Sequence, residues 1–163
     1  MIVIRDLPPP EAVKVRTYVP AEPGHLPVHC AWYEQPPDRG ELADQAWLVE
    51  ERPRWDELDG PGITRFSFLR RIPGIDRDEF ARRWDKHVAL ARVHHPALRR
   101  YVQNIVISPA DGIDGIVELG FESVDDLEQR MYDSDEGRAV IGADVRTFID
   151  VAAGSRVVTR DPG

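Results

Sequence analysis

Ten of the fourteen prolines fall in the first 61 of the 163 residues, among them Pro8-Pro9-Pro10 and Pro36-Pro37. A proline fixes φ and removes a backbone donor, so long helices are excluded from this part of the chain. Between the prolines stand short runs rich in Val, Tyr and Trp, at residues 13–19, 28–33 and 46–51, which read as strands. The segment closes in the turn Asp59-Gly60-Pro61-Gly62. Trp32, Tyr33, Trp47 and Trp55 set it apart from a disordered tail, which is poor in such residues.

From Ile63 the punctuation changes. Residues 64–70 (TRFSFLR) alternate as a strand, with Phe66 and Phe68 on one face and Ser67 and Leu69 on the other. After Pro73-Gly74, Asp76 and Glu79 form a capping box, with Ile75 and Phe80 at the staple positions. Phe80, Trp84, Val88 and Ala91 then recur at helical spacing until Pro96 ends the helix. Residues 98–107 and 115–121 are two more strands, and Asp114-Gly115 fits a hairpin between them. Ser123 starts a helix through Leu127 and Met131. A second helical segment spans 135–150 with Ile141, Val145 and Phe148 on its buried face, and 155–160 is the last strand. The order β-α-β-β-α-β is the ferredoxin-like split βαβ plan, of α+β class. Two parts are therefore expected: a short-strand N-terminal segment, 1–61, and a ferredoxin-like domain, 62–160.

A net charge of −8 argues against nucleic acid or an anionic membrane as partner. The sequence has no apolar run long enough to span a bilayer, and its first seven residues lack signal-peptide features, so a cytoplasmic protein is expected. The single cysteine, Cys30, excludes an intramolecular disulfide and cysteine-based zinc sites. His94-His95, and His25 with His29, lack a carboxylate at ligand spacing, so no metal is expected. The glycines follow neither GxGxxG nor Walker spacing, and no cofactor is implied.

A four-stranded sheet with its helices on one side leaves an apolar face that needs a cover. Two-fold homodimerisation would supply it, and so would strands from 1–61. The residues alone leave both routes open.

FLRRIPGIDRDEFARRWDKHVALA, then LRRYVQN and DGIVELGF, resembles the EthD family of dimeric α/β-barrel proteins. The later run YDSDEGRAVIGADVRTFID matches the same pattern. AWLVEERPRWDE is similar to the end of a first repeat in tandem EthD proteins, so 1–61 resembles a shortened first repeat. The resemblance implies a homodimeric barrel with a cavity and a cofactor-independent enzyme of dehydratase, cyclase or lactone-isomerase type. Its substrate would be a small hydrophobic, aromatic or lactone-like molecule. The rival reading is a non-catalytic accessory or ligand-binding module of the same fold.

His87, three residues after Trp84, sits on or beside the buried stripe, where an imidazole can move protons near neutral pH. A histidine hydrogen-bonded at a helix end is the plainer alternative. The family pattern places a histidine here, and in related isomerases a strand tyrosine follows it, which implies Tyr101 as an enolate donor; a core tyrosine is the alternative. Asn104 is a candidate polar handle, yet alternation puts it on the face opposite Tyr101, which shares its face with Gln103. Trp84 is core or pocket wall. Arg70 is a candidate carboxylate binder or a surface ion-pair partner. Asp144 would orient His87 or is simply solvated.

Overall fold

The computed structural model describes residues 1–4, 12–35 and 45–161. The proline clusters at 8–10 and 36–37 lie outside the described residues. Eight strands form one closed barrel: β1 (Ile2–Ile4), β2 (Lys14–Pro20), β3 (Val28–Trp32), β4 (Ala46–Asp56), β5 (Ile63–Leu69), β6 (Arg100–Ser108), β7 (Gly115–Phe121) and β8 (Ser155–Arg160). All the pairings are antiparallel.

The order around the barrel is β1-β3-β2-β8-β5-β7-β6-β4. Within it, β8-β5-β7-β6 is the ferredoxin-like arrangement expected from the C-terminal pattern. The N-terminal strands stand as β4-β1-β3-β2, the same arrangement built from the first four strands. Two joints close the ring: β4 pairs with β6 along nearly its whole length, and β2 meets β8 through Val19–Arg160 and Pro20–Thr159. The apolar sheet face that called for a cover is therefore covered by the chain's own N-terminal strands. Strand β1 is an addition to the sequence reading. Strand β4 runs five residues past its expected end, and its register shifts at Pro53, which offers no donor to the ladder.

The helices α1 (Arg77–His94), α2 (Val124–Glu128) and α3 (Asp135–Val145) lie within the β5–β8 half of the chain. Asp76 caps α1 by accepting the Glu79 N–H at 2.8 Å. The reciprocal half of the box is absent, because the Glu79 carboxylate turns to Arg82 and Arg83. Ser123 and Ser134 cap α2 and α3. Both helices are shorter than the periodicity predicts: Arg146, Thr147 and Phe148 continue α3 only as a turn, and Ile149 forms an isolated antiparallel bridge with Arg71.

Strand alternation sorts the core into two compartments. Tyr18, Val28, Phe66, Phe68, Val106 and Ile116 fill the barrel interior. Phe80, Trp84, Tyr101, Leu119, Phe121 and Phe148 pack between the helices and the outer face of the sheet. The two compartments are set by neighbouring residues of the same strands, as with Phe68 and Leu69. Gly115 allows α1 to lie close on the sheet: a Cβ there would run into the Trp84 ring and stand 3.2 Å from the ring of Phe80.

Candidate functional site

Phe80, Trp84, His87 and Ala91 are the buried residues of α1, spaced so that all four face the sheet. Val88, expected in this stripe, sits at its edge, half-buried. The stripe therefore carries an imidazole into an apolar layer. Beside it, between α1, α3 and the outer face of β5–β7, lies a pocket of about 370 Å³ lined by His87, Tyr101, Trp84, Leu119, Ile141 and Met131, among others. The cavity implied for the inside of the barrel thus has its His87-bearing counterpart on the outside, under the helices.

His87 is 6 % exposed, and its Nδ1 stands 2.8 Å from Asp144 Oδ2 on α3. A carboxylate accepts only, so the neutral ring carries its proton on Nδ1 and presents the Nε2 lone pair. The ring makes no other hydrogen bond among the described residues. Burial lowers the His87 pKa, and the bond to Asp144 works against that fall. The result is an imidazole that stays neutral and basic to below its ordinary range. Phe148 packs against it, the ring centroids 5.7 Å apart.

Tyr101, from β6, lines the same pocket. Its oxygen accepts from Trp84 Nε1 at 3.0 Å and from Gln103 Nε2 at 3.1 Å. Burial pushes its pKa up to about 12, so the phenol keeps its proton. Two accepted bonds engage the oxygen's lone pairs and leave the O–H as a donor. Gln103 is fixed in turn: it donates to the Trp84 carbonyl at 2.9 Å and accepts from Arg54 Nη2 at 2.7 Å. Trp84 is thus both pocket wall and a hydrogen-bond donor that holds Tyr101.

Two candidates fall away from this pocket. Asn104 points to the barrel interior, where its amide donates to the Ile116 carbonyl at 3.1 Å and to Glu118 Oε1 at 3.0 Å. It lines a separate cavity of about 360 Å³ with Cys30, Glu118 and Trp32. Alternation along β6 forces this separation, since Tyr101 and Gln103 face the helices. Arg70 is exposed at the end of β5, beside Gly112, and lines a different surface cleft. Asp144 is placed as the hydrogen-bond partner of His87.

Gln103 and His95 were read in the sequence but not chosen as site residues, and Arg65 went unmarked. Gln103 was visible through alternation, because it must share the face of Tyr101. His95, which lines the pocket, bonds the Met131 carbonyl through Nδ1 at 2.7 Å, and burial lowers its pKa to about 4. Its neighbour His94 turns to Asp133, Nδ1 3.1 Å from Oδ2. Arg65 of β5 also reaches the pocket. Its position opposite Phe66 assigns its face, but no local pattern tells a buried arginine from an exposed one.

Residues 72–152, about half the chain, match the EthD domain. The chain carries an EthD domain. The matched segment holds Trp84, His87, Tyr101, Gln103 and Asp144, and excludes β5 and β8. Among solved structures, the EthD-domain chain is similar to a candidate monooxygenase from Lactobacillus acidophilus NCFM, with a TM-score of 0.60 at 7% identity over 91% of this chain and 76% of that one. It is also similar to an anthrone oxidase-like protein, with a TM-score of 0.62 at 14% identity and the same coverage of both chains. At these identities the likeness is one of fold. No curated protein matches the sequence. Among the described residues, no helix is long and apolar enough to cross a membrane.

Proposed function

We propose that the pocket under α1 is the active site of an enzyme that abstracts a proton from a compact aromatic or lactone-like molecule. The observation that carries this is the convergence of a carboxylate-bound imidazole and a neutral phenol on one cavity. His87 Nε2 takes a proton from carbon next to a carbonyl, and Asp144 stabilises the imidazolium that forms. The Tyr101 O–H donates to the carbonyl oxygen as it gains charge.

The enolate so formed has several fates. Return of the proton at another carbon is isomerisation, loss of a β-hydroxyl is dehydration, and attack on a second carbonyl is cyclisation. All three begin with the same proton transfer, so the reading rests on that step. Oxidative chemistry, suggested by the names of the two similar structures, would also begin from an electron-rich enolate and would need dioxygen or another external two-electron acceptor. For the proton transfer itself the chain's own residues supply both the base and the oxyanion donor. The repeated strand order supports reading residues 1–61 as a first repeat that lost its site.

The experiment is solvent-deuterium exchange into the methylene group of anthrone, a tricyclic aromatic ketone with an acidic C–H. Exchange above the buffer rate is expected for the wild type, with a fall to the buffer rate in a folded His87→Ala variant. Equal exchange by the two proteins would overturn the role of His87.

A further inference from the structure

Arg65 is anomalous in a chain with 29 acidic and 21 basic residues. Its Nε is buried and has no hydrogen-bond partner among the described residues, where the one bond from the guanidinium is Nη1 to the Met131 sulfur at 3.5 Å. No carboxylate pairs with it among the described residues, although ion pairs are plentiful elsewhere on the molecule. Burial lowers its pKa, the neighbouring Arg156 lowers it further, and only the Tyr132 phenol works the other way. A buried cation without an anion is costly. Such a group is ordinarily found where a ligand completes it.

The position of the group says what would complete it. Arg65 and Arg156 both line the pocket that His87 and Tyr101 line. Ser67, between them, stands opposite Arg156 in the ladder of β5 and β8 and lines the pocket as well. The polar strip Arg65–Ser67–Arg156 is therefore on the sheet side, while the Asp144–His87 pair comes from the helices. Asp150 also lines the pocket, but its Oδ1 accepts the Ala152 N–H at 3.1 Å and it pairs with neither arginine. His95 is held by the Met131 carbonyl. Arg65 and Arg156 thus face the cavity with no carboxylate paired to either of them among the described residues.

We propose that the ligand of this pocket is an anion: an aromatic or polycyclic carboxylate whose carboxylate is held by Arg65, with Arg156 at the second oxygen, while its apolar body lies between Trp84, Leu119 and Ile141. This rests on the pocket's being the active site and adds the class of molecule. Arg65 selects and orients the ligand; it takes no part in the proton transfer. A guanidinium offers parallel N–H groups to a carboxylate, and with water displaced that bond is among the stronger ones a protein makes.

The test compares equilibrium binding of anthracene-2-carboxylate and of anthracene-2-carboxamide, which has the same ring system and no charge, read by ligand fluorescence. The wild type is expected to prefer the carboxylate, and Arg65→Met to lose about tenfold to a hundredfold in carboxylate affinity with the amide unchanged. Thermal stability of Arg65→Met serves as the control on folding. Because the variant removes a cation without a counter-charge, its melting temperature should hold or rise, which a structural role for Arg65 would not allow. Equal binding of carboxylate and amide by the wild type would overturn the anion assignment and leave the pocket standing. Binding of neither compound would overturn both.

Discussion

His87 Nδ1 lies 2.8 Å from Asp144 Oδ2, across the joint between α1 and α3. The bond links two helices that are 57 residues apart at this point, and it fixes which nitrogen of the ring carries the proton.

Asp144→Asn should therefore separate two effects. Asparagine can no longer hold the Nδ1–H tautomer alone, so kcat should fall, by less than the roughly 10²–10⁴-fold expected for loss of the base itself. Asp144 also props up the His87 pKa. Its removal should move the acid limb of the pH–rate profile to lower pH. An unmoved limb with a lowered rate would mean that Asp144 acts on packing and not on the ring.

Tyr101→Phe removes the proposed oxyanion donor, and the rate should drop roughly 10²–10³-fold with ligand affinity retained. The same change leaves Trp84 Nε1 without its acceptor. A buried donor left unpaired costs about 1–3 kcal/mol, so chemical denaturation should show a loss of that size. Stability loss without rate loss would make Tyr101 a core residue only.

His95 gives a pH dependence of stability. Its folded pKa of about 4 lies below the ordinary 6.5. The unfolded chain then binds the extra proton first, so the contribution is complete above about pH 6.5 and is lost as pH falls toward 4. The loss is of order 3 kcal/mol over that window. His95→Gln should flatten this part of the stability curve in urea titrations from pH 7 to 4. A curve as steep as the wild type's would place the acid sensitivity elsewhere.

Gly115→Ala tests how closely α1 lies on the sheet. The new methyl would meet the Trp84 ring, with Phe80 just behind it. Overpacking of this kind costs about 1–3 kcal/mol and should shift the Trp84 side chain and its bond to Tyr101. A melting temperature equal to that of the wild type would show slack in this layer.

A fragment beginning at Gly62 would lose β1–β4 and expose Phe66, Phe68, Val106 and Ile116 on one sheet face. It should self-associate, as measured by light scattering after gel filtration. A monodisperse, folded monomer would contradict the role given to the N-terminal strands.

The C-terminal plan was legible because its signals are local. Asp76 before a helical stripe, Asp114-Gly115 before a strand, and alternation around Phe66 each fix an element without reference to distant residues. The His87 site was half legible for the same reason: the α1 stripe points His87 inward, and alternation along β6 groups Tyr101 with Gln103. What lay beyond reach depends on pairing across the chain. The N-terminal strands are short and interrupted by proline, and only their closure onto β6 and β8 shows that they repeat the C-terminal order. Asn104 and Tyr101 are three residues apart and end on opposite sides of a sheet, so the side that holds the pocket decides between them. That choice rests on where α3 brings Asp144, a tertiary fact. Arg65 shows the limit most plainly, because a buried unpaired cation is defined by the partners that do not approach it.

The central claim is that the working pocket lies between the helices and the outer face of the sheet, and not inside the barrel. Chemical-shift mapping of the isotope-labelled protein with anthrone tests it directly. Perturbations should centre on His87, Ala91, Tyr101, Leu119 and Ile141. Perturbations centred on Cys30, Asn104 and Glu118, with His87 unmoved, would place the ligand in the barrel interior and contradict the claim.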